Sequence, residues 1–170
     1  MTHQSLEKDF LKAYDEHADA IFRFCYAQTG NREHAKDATQ EAFVRTWKYL
    51  AKGSMIDDMR PFLYRTARNI LIDEHRKVRN ESLEKLTESG FDIADTRTPD
   101  ASISAEASRA IRLAAHLNPK YREAVLMRYV DEMQPREIAA IVGESENTIS
   151  VRIHRGLQQL REHLNVNHES

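Results

Sequence analysis

Between Gln134 and Leu164 two apolar patterns of helical spacing are separated by a glycine turn, which constrains this stretch to a pair of packed helices. Pro135 suits the first position of a helix, Glu137 can reach back to the Gln134 backbone, and Ile138, Ile141 and Val142 give an apolar face that Gly143 ends. Ser145 then caps a second helix. In that helix Ile149, Ile153, Leu157, Leu160 and Leu164 form one continuous stripe that its neighbours must cover.

The stripe defines the outer face by subtraction. At about 100° per residue, Asn147, Val151, His154 and Gln158 point away from it, with Ser150 and Arg155 alongside and Arg152 nearer the boundary. Early residues of such a helix reach base edges: Asn147 suits adenine, Ser150 either kind of base, and Val151 a thymine methyl. Arg152 and Arg155 suit phosphates. A solvated face has the same polarity. DNA is favoured by the short Gly143-Glu144-Ser145 turn, and by arginines unmatched by any acid from Asn147 to Arg161.

In a chain of 170 residues, few glycines and prolines with many charges predict an all-α protein. The formal net charge of -2 argues against indiscriminate affinity for nucleic acid, so the distribution of charge carries the information. Arg60, Arg65, Arg68, Arg76, Lys77 and Arg79 outnumber Asp73 and Glu74, whereas Glu81 to Glu106 holds seven acids against Lys85 and Arg97. That acidic stretch also contains Ser89-Gly90 and Thr98-Pro99-Asp100 and lacks sustained periodicity. It predicts a flexible acidic linker over 81–104 joining two small helical domains, 1–80 and 105–170. Domains of this size have marginal independent stability, which makes docking to a larger partner favourable.

The N-terminal half predicts a helix from about Leu6 to Thr29 with Phe10, Tyr14, Ile21, Phe22 and Cys25 as its core stripe, then a helix capped by Asn31, and a third opened by Pro61. The second combines Ala35, Ala38, Ala42, Trp47 and Leu50 with the polar set Asp37, Gln40, Glu41 and Arg45. On the third, Leu63, Ala67, Ile70 and Leu71 fall opposite Arg65, Arg68, Asn69, Ile72, Arg76 and Arg79, a basic stripe able to follow phosphates. Of the aromatic residues Trp47, Phe62 and Tyr64, Tyr64 lies at the flank of that stripe and is the candidate for base stacking. The single cysteine, Cys25, is expected as a reduced, buried thiol. No apolar run approaches membrane-spanning length and the first residues lack signal-peptide character, so a cytoplasmic protein without membrane insertion is expected.

Asp37-Ala38-Thr39-Gln40-Glu41-Ala42-Phe43 with Trp47 is the first of several segments, in order, that resemble an RNA polymerase sigma factor of the extracytoplasmic function (ECF) type; it resembles the core-polymerase-binding segment of sigma region 2. Phe62-Leu63-Tyr64-Arg65-Thr66-Ala67-Arg68-Asn69 with Asp73 and Arg76 resembles its promoter-melting segment. Leu117-Asn118-Pro119 through Arg128-Tyr129, and Thr148-Ile149 to Arg152-Ile153-His154-Arg155, resemble region 4. Two positions depart from the family pattern: Ser150 stands where lysine is frequent, and Glu144 where the turn is usually apolar.

The resemblance implies a transcription initiation factor that directs core RNA polymerase to promoters and helps melt the minus-10 element. Asp37, Gln40, Glu41, Val44, Arg45 and Trp47 would meet polymerase. Tyr64, Arg65, Arg68, Asn69, Asp73, Arg76 and Arg79 would hold the minus-10 element, with a flipped base captured at the 51–60 loop near Asn69. Asn147, Thr148, Ser150, Val151, Arg152, His154 and Arg155 would read the minus-35 element. It further implies an anti-sigma factor as partner and a linker that threads the RNA path of polymerase; the acidity of that linker adds the expectation that in the free protein it covers basic faces and weakens DNA binding.

A helix-turn-helix regulator with an N-terminal sensing or dimerisation domain is the alternative. Enzyme chemistry finds little support. His34, Asp37 and Glu41, or Asp15, His17 and Asp19, have spacings open to metal binding, but a charged solvent face explains both groups. No phosphate-cradling glycine loop, zinc-protease motif or nucleophile elbow is present, so neither catalytic residue, metal nor cofactor is expected.

Overall fold

The computed structural model describes residues 2–81 and 101–169, and over these the chain is helical without strands. It divides into two compact units, one carrying the first three helices and the other the last four.

In the first unit α1 (His3–Thr29), α2 (Arg32–Ala51) and α3 (Met59–Glu81) pack as a three-helix bundle. Gly30 ends α1 with φ 64°, a left-handed conformation that costs glycine little, and its N–H donates to the Tyr26 carbonyl at 2.8 Å. The Asn31 side chain accepts the His34 N–H at 3.0 Å and so starts α2, as its sequence position predicts. Ala35, Ala38 and Ala42 give α2 a small-residue face that lets its neighbours approach, and Ile21, Phe24, Cys25, Leu63, Ala67 and Ile70 complete the core.

α3 begins two residues before the expected Pro61. Asp58 accepts the Arg60 N–H at 3.3 Å, and Pro61 within the first turn sacrifices no helical hydrogen bond, because the first N–H groups have no partner in the helix. Tyr14, expected in the core, is exposed, although its ring still meets Phe43 edge-on at 4.8 Å.

The second unit contains α4 (Ala105–Ala114), α5 (Pro119–Tyr129), α6 (Pro135–Val142) and α7 (Glu146–His168). Ser104 caps α4 and Ile103 before it is buried, so the folded unit extends into the C-terminal end of the stretch read as linker; the linker residues 82–100 lie outside the described residues. Asn118 caps α5, with Pro119 at its first position.

Arg122, in α5, is 5 % exposed: its Nε donates to the Ala114 carbonyl at 3.2 Å, and one terminal nitrogen donates to Ala115 and Leu117, each at 3.1 Å. One guanidinium thus satisfies the carbonyls left over where α4 ends. The Gln134 N–H donates to Glu137 at 2.7 Å, Gly143 ends α6 with φ 78°, and the Ser145 hydroxyl accepts the Thr148 N–H at 3.1 Å to open α7. These two contacts and the glycine turn between them are the helix-turn-helix in the form its sequence predicts.

The α7 stripe is covered only at its start. Ile149, Ile153 and Gly156 are buried, Leu157 and Leu160 are half-buried, and Leu164 is exposed, although His163 beside it still stacks on His116 at 4.2 Å.

Candidate nucleic-acid interface

The α3 face expected to meet DNA is presented outward. Arg65, Asn69, Asp73, Arg76 and Arg79 are exposed and Arg68 is half-buried, while Leu63, Ala67 and Ile70 face the core. Tyr64 corrects the expectation: it is 1 % exposed and packs edge-on against Phe24 of α1 at 5.2 Å, so no base can stack on it. The aromatic surface available on this side belongs to Phe62, half-buried, and to Tyr49 at the end of α2, exposed, with ring centroids 5.0 Å apart. Phe62 shares a helical face with Asn69 and Arg76, seven and fourteen residues on, a register legible in the sequence. Tyr49 was not: only the tertiary fold brings it to Phe62.

α2 and α3 run antiparallel and are clasped at one end by His34 Nε2 against Glu74 Oε2 at 2.7 Å. Between them lies a groove of about 550 Å³ lined by Asp37, Glu41 and Arg45 from α2 and by Asp73, Arg76 and Lys77 from α3. Residues expected to meet polymerase and residues expected to meet DNA therefore border one surface. Gln40 and Val44 are exposed on the same helix, and Arg45 Nε is held by Glu41 at 2.7 Å. Trp47 is placed differently from the rest of that set. Its ring lies edge-on to Phe10 at 5.1 Å and to His3 at 6.2 Å, so most of it serves the contact between α1 and α2. Beside it, the 51–60 loop with α1 walls a second cleft of about 640 Å³, whose apolar lining includes Leu6, Phe10, Leu50, Met55, Ile56 and Met59.

On α7, Asn147, Ser150, Val151, His154 and Arg155 are exposed together, the outer face defined by the stripe. Thr148 is half-buried with its hydroxyl 2.8 Å from that of Ser145, which commits it to the cap. Arg152, which the stripe places nearer the boundary, is half-buried and lies 3.2 Å from Glu144 of the turn.

His34 meets Glu74, and Asp37 and Glu41 share the groove with Asp73, yet among the described residues no group of three or more His, Cys, Asp or Glu side chains is arranged to hold a metal ion. No helix among them is long and apolar enough to cross a membrane.

Residues 13–81 match the family model of Sigma-70 region 2, and residues 108–160 that of Sigma-70 region 4. The chain is 33% identical to the ECF RNA polymerase sigma factor SigW of Bacillus subtilis over 91% of its own length and 88% of the relative's. It is 30% identical to the ECF sigma factor SigL of Mycobacterium tuberculosis, covering 87% and 84% of the two chains. Its fold is similar to that of the sigma factor RpoE of Bartonella quintana, solved in complex with the anti-sigma factor NepR, with a TM-score of 0.78, 22% identity and coverage of 94% and 98%.

Proposed function

Since this chain belongs to the ECF RNA polymerase sigma factors, promoter-directing transcription initiation factors rather than enzymes, we propose the following division of labour among its faces. The α2 side of the α2–α3 groove, with Asp37, Gln40, Glu41, Val44 and Arg45, docks on core RNA polymerase. The α3 stripe of Arg65, Arg68, Asn69, Asp73, Arg76 and Arg79 holds the melted minus-10 strand, with Phe62 and Tyr49 offering ring faces to unpaired bases. Asn147, Ser150 and Val151 read base edges of the minus-35 element, while His154 and Arg155 approach its backbone. The work is done where polymerase is, in the cytoplasm. An anti-sigma factor is a fitting further partner, as for the RpoE relative.

The observation that carries this reading is the shared groove: acids and Arg45 of α2 on one wall, Asp73 and Arg76 of α3 on the other. One small bundle can thereby touch polymerase and the DNA that polymerase opens. The test is reconstituted transcription. Added to core enzyme, the chain directs initiation from selected promoters, and Asp37→Lys with Glu41→Lys abolishes initiation and core binding while the helical signal is retained. Avid binding to promoter DNA with no initiation by core enzyme would instead favour the conventional helix-turn-helix regulator.

A further inference from the structure

Glu144 sits in the turn between Gly143 and the capping residue Ser145, with its own N–H fixed to the Ala139 carbonyl at 3.2 Å. Its carboxylate therefore projects from anchored backbone. Oε1 lies 3.2 Å from a terminal nitrogen of Arg152, eight residues on and two turns into α7. Burial across the pair is unequal: the Arg152 side chain is 13 % exposed and that of Glu144 43 %. The guanidinium is already largely withdrawn from water and engaged by an acid, whereas Arg155 stands exposed on the same helix. A carboxylate and a phosphate oxygen use the same guanidinium donors, so the one excludes the other.

We propose that Glu144 sets the DNA affinity of α7: its carboxylate takes the place of a DNA phosphate and withholds Arg152 from the backbone contacts of this surface. The inference rests on the assignment of α7 to the minus-35 element. A paired Arg152 is neutral toward an approaching duplex, releases no counterion, and leaves binding with one fewer salt-dependent contact. A sequence-independent contribution is thereby removed. A larger share of recognition then falls to the base edges met by Asn147, Ser150 and Val151.

The experiment uses the full chain assembled with core RNA polymerase and a promoter fragment that the wild-type holoenzyme selects from a randomised pool. Affinity is measured across a salt series for wild type, Glu144→Gln, Arg152→Gln and the double variant, with thermal melts to verify folding. Glu144→Gln binds more tightly, by up to about eight-fold near ~0.1 M salt, and steepens the salt dependence by about 0.9 in log–log slope. Arg152→Gln costs little in wild type and most of that gain in the Glu144→Gln background. Glu146→Gln, which removes a neighbouring acid in the first turn of α7, shows no such coupling to Arg152, which separates local release from a general loss of negative charge. An unchanged slope in Glu144→Gln, or an equal loss from Arg152→Gln in both backgrounds, overturns the inference while leaving the sigma-factor assignment intact. Failure of the holoenzyme to select any promoter overturns both.

Discussion

Cys25 is fully buried, and its thiol is pushed up from 9.0 to about 12, first by burial, with a hydrogen bond to Thr39 opposing and the charge of Glu74 adding. The unfolded chain releases this proton near pH 9 while the native chain keeps it to about 12. Within that window the unfolded state holds fewer protons, so stability declines as pH rises; below it the group adds no pH dependence. Cys25→Ala should therefore flatten the alkaline loss of stability, measured as denaturant midpoints at about pH 8 and about pH 10.5. The native thiol should also stay unlabelled by a thiol reagent at about pH 8 and react once unfolded, since only the thiolate is nucleophilic. Arg122 shows the complementary case of a charge kept inside: burial pulls its pKa down, yet three carbonyls receive its N–H groups. Replacing it with Met should destabilise the second unit by roughly 1.5–3 kcal/mol in a thermal melt. Lys should rescue little, because an ammonium lacks the planar fork that spans all three acceptors.

α7 is held against α5 by the absence of a side chain. A Cβ at Gly156 would stand 2.6 Å from Val125 Cγ2 and 3.3 Å from Tyr121 Cβ, so the Val125 side chain or the helix carrying it would have to shift. Gly156→Leu should therefore cost about 1–3 kcal/mol through overpacking, read as a lowered melting temperature and a weakened DNA response. Nothing in the local pattern announced that glycine, because a single helix does not reveal how closely its neighbour approaches. The same limit explains Tyr64 and Leu164. Periodicity put Tyr64 at a flank, and Phe24 from another helix covers it; it put Leu164 on the same stripe as the buried Ile149 and Ile153, yet Leu164 is exposed. Caps and turns were more legible, since Asn31, Gly143 and Ser145 act on backbone groups within a few residues of themselves. The two faces of α3 were legible for the same reason, being set by spacing alone. Arg152 was not, because a long side chain can turn along its helix to an acid outside it.

At the scale of the molecule bound to a promoter, two residues of the same outer face of α7 are expected to answer differently to mutation. Arg155→Ala should weaken minus-35 binding on all sequences and lower the salt slope by about one, whereas Asn147→Ala should change which upstream sequence is preferred, with about 1–3 kcal/mol at stake. Affinity measurements over a salt series and a set of promoter variants separate the two; a uniform loss from Asn147→Ala would remove it from the base-reading set. The clasp of His34 on Glu74 has a mechanical corollary. On the proposed division of faces, α2 and α3, in contact there and joined by a short turn at the other end, would act as a ruler that fixes how far the strand held by α3 lies from the enzyme met by α2. Adding or deleting a residue in the 52–58 turn would slide one scale past the other, so that polymerase would still be bound but would open DNA at the wrong base step.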